Sequence, residues 1–202
     1  MKAVFAGLML VAVVSFIGFC VENAWMAYSQ GVVDNRDMCL PFLLGYGLAI
    51  LAVYILFGVP QRPLFFGRDV ALESKAACYV YYFVAIGICV SVGEIVMGKV
   101  IEKISGYQWW DYTSIPLHIT QYTSVPTSVG FSALIFVFMR YCFDPIMNCF
   151  MRMEMEPLRQ MSIMITIGLF ADMFYNLHYI FKHGEGKKRW CIDIRMLKEK
   201  II

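Results

Sequence analysis

Charged residues are scarce in this chain. Only 16% of its 202 residues are Asp, Glu, Lys or Arg, whereas 60% are hydrophobic, and the mean hydropathy is +0.65. A soluble domain has about 25% charged residues, so these values exclude an ordinary soluble protein. They also exclude an intrinsically disordered chain, because disorder requires low hydrophobicity and high net charge. The sequence therefore predicts an integral membrane protein.

Several familiar signatures are also missing. The seven cysteines have no C-x-x-C spacing, so they predict neither a disulfide framework nor a zinc site. The sequence has no G-x-x-x-x-G-K-[ST] phosphate loop, no G-x-G-x-x-G, no G-x-S-x-G and no H-E-x-x-H. An ATP-driven role would therefore need a separate ATPase. We predict no cofactor and no bound metal, and the small net charge of +2 argues against a nucleic-acid partner.

Five apolar segments are long enough, at about 20 residues each, to cross about 30 Å of hydrocarbon as helices. We predict an all-α integral membrane protein with spans near residues 4–27, 39–57, 78–98, 125–143 and 158–181. Residues 115–127 are half polar and contain two prolines, which predicts an interfacial or re-entrant segment before the fourth span. No A-x-A cleavage site follows the first span, so we expect a retained helix rather than a signal peptide.

The spans predict one helical membrane domain, residues 1–181, followed by a short basic tail, residues 182–202. Five crossings would place the two chain ends on opposite sides of the membrane. More Lys and Arg residues then fall on the face that receives the tail, so the positive-inside rule favours a cytoplasmic tail. Lys187, Lys188 and Arg189 beside Trp190 predict a juxtamembrane anchor to anionic lipid.

Three carboxylates fall within the predicted spans: Glu22, Glu94 and Asp172. A charge inside hydrocarbon costs several kcal/mol unless it is paired, protonated or hydrated, so each of these acids is a functional candidate. The first, third and fifth spans cross in the same direction, and each acid lies in the second half of its span. We therefore expect all three acids to approach the same membrane face.

The loops predicted on that face carry further polar and aromatic residues. The sequence thus predicts a polar cavity open toward one side, with Arg36 as a counter-charge. The residues expected to line it are Glu22, Asn23, Asn35, Arg36, Glu94, Trp109, Trp110, Asp111, Tyr112, His118, Asp172 and Asn176, with His178 as a further candidate.

Each of these residues also has a structural explanation, which the sequence leaves open. Glu22 and Glu94 can be hydrated near the headgroups or can pair with Arg36 or Lys99. The tryptophans can form an aromatic belt at the interface. Asp172 can hydrogen-bond a neighbouring helix, and the histidines can be hydrogen-bonded structural residues rather than ligands.

Five short patterns together resemble a known family. They are F-I-G-F-C-V-E at residues 16–22, Asn35-Arg36 with Pro41-Phe42, Tyr46-Gly47, Glu94, and W-W-D-Y at residues 109–112 followed by Pro116. In these features the chain is similar to the putative ABC-transporter type IV (CmpB-like) family of small bacterial membrane proteins, over residues 16–135. The W-W-D-Y pattern is the most specific of them. The resemblance implies a membrane architecture with a polar site on one face.

The chain departs from the family pattern at a few positions. The family usually has glycine after the Asn-Arg pair, where this chain has Asp37. It typically has a Gly-Pro-x-x-Pro pattern entering the second span, of which only Pro41 remains. After Pro116 it has Asn and then Gly, where this chain has His118 and Gln121.

Three functions remain open from the sequence. The first is a permease-like transport component of the cell membrane, in contact with the lipid bilayer and with a separate ATPase subunit or a second copy of the chain. The second is an intramembrane enzyme for a lipid or other apolar substrate, with Glu94 or Asp111 as acid or base, although no recognised catalytic motif is present. The third is a non-catalytic assembly subunit, in which Gly87 and Ser91 would let a partner helix approach closely.

Overall fold

The computed structural model describes residues 1–106 and 108–195, and it is mostly helical, with short strands and loops between the helices. In that part of the chain, four helices are long and apolar enough to cross a membrane. The all-α membrane fold predicted from the sequence is confirmed. The chain divides into two compact units, unit 1 with Met1–Ala49 and Phe150–Ile202, and unit 2 with Ile50–Cys149. The single domain over residues 1–181 stays a prediction.

Unit 1 is built on two long helices. Its elements are α1 (Lys2–Ser29), β1 (Val32–Asp34), the first turns of α2 (Leu44–Phe57), α6 (Met155–His183) and β7 (Cys191–Asp193). Helix α1 packs against α6. Leu10 on α1 and Leu158 and Leu169 on α6 are among the buried apolar side chains of this unit. Strand β7 pairs antiparallel with β1, so the chain after α6 returns to the loop that follows α1.

Unit 2 contains two further long helices and two β-hairpin regions. Its elements are the rest of α2, β2 (Gly58–Val59), β3 (Arg62–Phe65), β4 (Arg68–Asp69), α3 (Lys75–Ser105), β5 (His118–Thr120), β6 (Thr123–Ser124), α4 (Val125–Val137), a π-helical turn (Phe138–Cys142) and α5 (Phe143–Arg152) except for its last three residues. Helix α4, the π-helical turn and α5 form one continuous helix over Val125–Arg152. Helix α3 packs against α4.

Local sequence sets the helix starts and the π-helical turn. The Ser74 hydroxyl accepts a hydrogen bond from Ala77 N (3.1 Å) at the start of α3, and Ser124 and Thr127 form a capping box at the start of α4. Helix α4 therefore begins where the sequence predicts the fourth span to begin. Pro145 lacks the N–H that would bond the Tyr141 carbonyl, and the π-helical turn that ends at Cys142 widens the helix just before it.

The second predicted span is shorter than expected. Helix α2 has 14 residues, which is about 21 Å of helix against about 30 Å of hydrocarbon. Residues 39–43, predicted as part of the span, are not helical. Pro41 interrupts the helix there, and the backbone before it bonds side chains instead of itself.

The small residues Gly87 and Ser91 are used inside unit 2. The Ser91 and Ser128 hydroxyls are 2.8 Å apart across α3 and α4, and a Cβ on Gly87 would lie 3.1 Å from Ser132 Oγ. The helix that approaches this face of α3 is therefore α4 of the same chain.

Candidate functional site

The loop between α1 and α2, residues 31–43, is held by buried side chains of unit 1. The Asp172 carboxylate on α6 accepts hydrogen bonds from Cys39 N (2.9 Å) and Leu40 N (3.1 Å). The Asn23 side chain on α1 accepts one from Asp34 N (2.8 Å). Backbone N–H groups that form no hydrogen bond within a helix or strand need such partners. Asp172 and Asn23 therefore act as tethers of this loop.

Two further asparagines complete the tethering. Asn176, 1% exposed, donates to the Asp172 side chain (2.8 Å) and to its carbonyl (2.7 Å). Asn35 donates to the Lys187 carbonyl (3.0 Å) and accepts from Arg189 N (2.9 Å). Asn35 thus ties the chain after α6 to the loop, and Asn176 orients the acid that holds the loop in place.

Glu22 is held by a tyrosine and an arginine. The Tyr46 ring lies directly on Gly18, where a Cβ would be 2.6 Å from the ring. The Tyr46 hydroxyl consequently reaches Glu22, one turn further along α1, and donates to its carboxylate. Arg36 Nη2 lies 3.4 Å from the same carboxylate. The pairing of Glu22 with Arg36, one of the arrangements left open by the sequence, is therefore present.

A strained turn presents Arg36. The backbone N–H of Met38 donates to the Asn35 carbonyl (2.9 Å), and the two residues between them, Arg36 and Asp37, have φ of 49° and 61°. Glycine adopts such left-handed angles without strain. This explains why glycine suits the position of Asp37, directly after the Asn35-Arg36 pair. Aspartate tolerates them better than most side chains. Burial, followed by the nearby Asp34 charge, raises the pKa of Asp37 above its ordinary value.

Unit 2 repeats the tyrosine-on-glycine arrangement. The Tyr122 ring lies on Gly98 so closely that a Cβ there would overlap it. The Tyr122 hydroxyl donates to Glu102, one turn further along α3. Here the second partner of the carboxylate is neutral, because the Gln121 amide donates to it at 3.1 Å.

Glu94 lies two turns before Glu102 on α3 and contacts hydroxyl groups. The Thr123 hydroxyl donates to its carboxylate at 2.6 Å, and the Tyr112 side chain also hydrogen-bonds it. The Thr123 hydroxyl lies 3.1 Å from Ser128 Oγ, which leads on to Ser91. Gln121 and Tyr122 therefore donate hydrogen bonds to Glu102, and Thr123 donates one to Glu94. We call these two glutamates the acid pair.

The W-W-D-Y segment covers this part of unit 2. Trp110 Nε1 donates to the Tyr122 carbonyl (2.9 Å), and Tyr112 N donates to the Gln121 carbonyl (2.8 Å). Trp109 Nε1 is buried and has no hydrogen-bond partner in the described part of the chain. The segment thus fixes the backbone that supplies the donors to the acid pair.

Three of the candidate residues lie at the surface. Asp111, His118 and His178 are exposed. The backbone N–H of Thr113 donates to Asp111 (2.9 Å), and this hydrogen bond lowers the Asp111 pKa. Within residues 1–106 and 108–195, no group of three His, Cys, Asp or Glu side chains is placed to hold a metal ion.

The structure separates the candidate residues by unit. Glu22, Asn23, Asn35, Arg36, Asp172 and Asn176 belong to unit 1, whereas Glu94, Trp109, Trp110, Asp111, Tyr112 and His118 belong to unit 2. The one-faced cavity stays a prediction. Sequence reasoning missed Glu102, Tyr46, Tyr122 and Thr123. The signal available was G-x-x-x-E, which occurs at residues 18–22 and 98–102.

Comparison with known proteins identifies the family. The chain has no match among curated proteins or solved structures. The model of the family described as putative ABC-transporter type IV matches residues 9–177, which include both tyrosine-on-glycine contacts and the acid pair. With long apolar helices and a family match over most of its length, this membrane chain belongs to the putative ABC-transporter type IV family.

Proposed function

We propose that this chain is the permease-like component of a transport system in the cell membrane, and that its acid pair takes up protons or a small cation. One observation carries the proposal. In the described part of the chain, neither Glu94 nor Glu102 forms an ion pair with a basic side chain. A carboxylate in a membrane-spanning helix needs a proton, water or a cation.

The positions of the two acids fit a stepwise transfer. Glu102 lies about one turn from the end of α3, and Glu94 is eight residues deeper, a rise of about 12 Å. The donors to both acids come from the same three-residue segment. We infer that an ion passes from Glu102 to Glu94 along this segment.

The partners of Glu94 suit a group that changes its charge. Thr123 and Tyr112 are hydroxyl residues, which can both donate and accept hydrogen bonds. When Glu94 is ionised, these hydroxyls donate to it, and when it is protonated, they accept from it. The network thus remains satisfied in both states.

Energy for transport would come from a partner. The chain lacks a phosphate loop, so the proposal includes a separate ATPase subunit. Tagged protein extracted in mild detergent should carry ATPase activity with it, which is absent from a mock purification. Extraction of the chain without any ATPase activity would restrict the proposal to transport driven by an ion gradient.

Cation binding can be measured without knowing the substrate. Purified protein is unfolded by heat in detergent with increasing Na⁺ or K⁺, because an ion that binds the folded state raises the unfolding temperature by mass action. We expect the ion-dependent rise to disappear in Glu94→Gln and to be weakened in Glu102→Gln. Glu73→Gln, in an exposed loop of unit 2, serves as the matched control and should respond like the wild type.

Flux provides the second test. Proteoliposomes with an entrapped pH-sensitive dye are given a potassium diffusion potential, and proton entry is followed. Wild-type protein and Glu73→Gln should give faster entry than protein-free vesicles, whereas Glu94→Gln should not. If Glu94→Gln matches the wild type in both ion-dependent stability and flux, the acid pair is not the transport site.

A further inference from the structure

A hairpin in unit 2 exposes two aromatic rings. Residues 58–69, which we call the interfacial hairpin, contain strands β2, β3 and β4. Phe65 and Phe66 at its tip are 55% and 64% exposed, and their rings meet edge to face at 4.9 Å. Arg62 and Arg68 flank them and are exposed.

The turn at the tip does not favour an aromatic residue. Phe65 pairs with Arg68, so the two-residue loop is Phe66-Gly67, with φ of 49° and 77°. Such a type I′ turn prefers Asn-Gly, and a bulky side chain at positive φ is an outlier. Strain of this kind points to a role for the residue that carries it.

The hairpin is fixed to the start of α3. The buried Tyr82 hydroxyl donates to the Gly58 carbonyl (2.9 Å), and the Tyr81 hydroxyl donates to the Leu64 carbonyl (3.2 Å). The Phe57 ring also lies 6.0 Å from the Phe66 ring. The hairpin that carries the exposed Phe65 and Phe66 rings is therefore held in place by contacts with α3 and Phe57.

The position of the hairpin along α3 corresponds to a membrane interface. Tyr82 holds this hairpin, and Glu102 holds Tyr122 beside the β5–β6 hairpin. These two attachment points are twenty residues apart on α3, which is about 30 Å. The hydrocarbon core of a bilayer has the same thickness, about 30 Å. With α3 across the membrane, each hairpin lies at one lipid–water interface.

Unpaired arginines lie at the same end of unit 2. In the described part of the chain, Arg62, Arg68 and Arg140 form no ion pair with a carboxylate, although the acids Asp69, Glu73 and Asp144 lie near them in sequence. The charge of these arginines is therefore available to an external anion.

Arg140 in the π-helical turn is next to the hairpin. Its Nε donates to the Tyr79 hydroxyl (3.1 Å), and its guanidinium lies 5.0 Å from the centre of the Tyr141 ring. Its carbonyl accepts a hydrogen bond from Gln61 (3.4 Å), in the turn between β2 and β3. The guanidinium is thus oriented by neutral aromatic groups, which leave its positive charge uncompensated.

We propose that the interfacial hairpin is a binding surface for anionic phospholipid. Phe65 and Phe66 enter the boundary between headgroups and acyl chains. Arg68 on the face of Phe65, and Arg62 on the opposite face of the hairpin, bind headgroup phosphates through charge-assisted hydrogen bonds, as does Arg140 next to the hairpin. Aromatic rings and unpaired arginines at interface depth fit a lipid, which offers an apolar chain and a phosphate in one molecule.

The test measures lipid binding to the purified full-length protein by native mass spectrometry, with phosphatidylglycerol and phosphatidylcholine as probes. An arginine near a membrane surface contributes about fivefold to the binding of anionic lipid. We therefore expect the double variant Arg62→Gln/Arg68→Gln to lower phosphatidylglycerol affinity roughly 25-fold, with phosphatidylcholine affinity unchanged. Lys99→Gln/Lys103→Gln, toward the other end of α3, is the matched control for removing two positive charges away from the hairpin, and should lower it less than the arginine variant does.

Phe66→Asn separates lipid binding from folding. Asn-Gly is the preferred type I′ pair, so this variant should unfold at the wild-type temperature or above it. Its affinity should fall for both lipids, because the inserted ring is lost. Unchanged phosphatidylglycerol affinity in either the arginine or the Phe66 variant overturns the proposal.

Two further results would also overturn it. Inorganic phosphate that displaces phosphatidylglycerol would indicate a site for free anions. Loss of a co-purifying ATPase in these variants, with lipid affinity unchanged, would indicate a protein-docking surface. We expect neither result.

Discussion

Glu22 in unit 1 and Glu102 in unit 2 are held in the same way but have different charges beside them. In each unit a tyrosine ring lies on a glycine, and its hydroxyl donates to the glutamate one turn further on. The second partner is the Arg36 guanidinium for Glu22 and the Gln121 amide for Glu102. The same local device therefore supports an ion pair in one unit and an unpaired acid in the other.

The difference extends to the other two membrane acids. Asp172 in unit 1 accepts hydrogen bonds from backbone N–H groups, which can only donate. Glu94 in unit 2 contacts hydroxyls, which adapt to either charge state. We infer that unit 1 uses its acids to hold the loop of residues 31–43, whereas unit 2 keeps acids that can exchange an ion.

The largest expected effect is at Asp172. Asp172→Ala leaves the N–H groups of Cys39 and Leu40 without an acceptor, and we expect a loss of about 3 kcal/mol in the free energy of unfolding. Chemical unfolding in detergent measures it, with exposed Asp111→Ala, which loses one exposed hydrogen bond, as the control that should lose much less. A loss at Asp172 no larger than at Asp111 would remove the structural role assigned to unit 1.

The next largest effect tests the tyrosine-on-glycine contact of unit 2. Gly98→Ala places a methyl group against the Tyr122 ring, and overpacking of this kind costs roughly 2 kcal/mol. Gly93 lies on the same helix with nothing within 4 Å of its added Cβ, so Gly93→Ala should be neutral or slightly stabilising. Thermal unfolding of both variants gives the comparison. Equal stability of the two would show that the tyrosine contact does not hold α3 to the following loop.

A smaller effect is expected at Thr123. Thr123→Val keeps the shape of the side chain but removes the hydroxyl that donates to Glu94, which costs about 1 kcal/mol. Ser91→Ala, at the far end of the hydroxyl chain, is the control for loss of a hydroxyl without loss of a bond to Glu94. We expect both variants to remain folded and only Thr123→Val to weaken the ion-dependent rise in unfolding temperature. If Ser91→Ala weakens this rise and Thr123→Val does not, Glu94 does not belong to the ion-binding site.

The smallest effect concerns Asp37 in unit 1. Its pKa is raised by burial, so above the ordinary aspartate pKa of about 4 the folded state binds more protons than the unfolded one. Stability should therefore decrease as the pH rises through the raised pKa, and Asp37→Asn should remove this decrease. At neutral pH we expect a small gain in the free energy of unfolding for Asp37→Asn, while exposed Asp144→Asn should give no gain.

The features that were predicted correctly from the sequence depend on residues that lie close together along the chain. Apolar length located α1, α3 and α6, and it placed the start of the fourth span at residue 125, where α4 begins. The ion pair of Glu22 with Arg36 was among the alternatives because both residues were expected at the same membrane face.

Long-range contacts could not be read from the sequence. Asp172 reaches Cys39 across 133 positions, and this contact, with Pro41, shortens α2. Glu102 gains its partner from a loop whose path depends on how β5 and β6 pair. Asp111 and His118 were expected to line a polar cavity because carboxylates and histidines are common in binding sites. They are exposed, because the same loop turns its other side toward the helices.

Infrared difference spectroscopy of wild-type protein against Glu94→Gln tests the exchangeable acid most directly. Both proteins are titrated between acidic and neutral pH, with unfolding temperature measured in parallel. We expect a carboxylic-acid C=O band that appears on acidification in the wild type, is absent from Glu94→Gln, and is diminished by the cation that raises the wild-type unfolding temperature. Identical spectra across the titration, or a Glu94→Gln protein destabilised as much as Asp172→Ala, would contradict the assignment of Glu94 as an exchangeable acid.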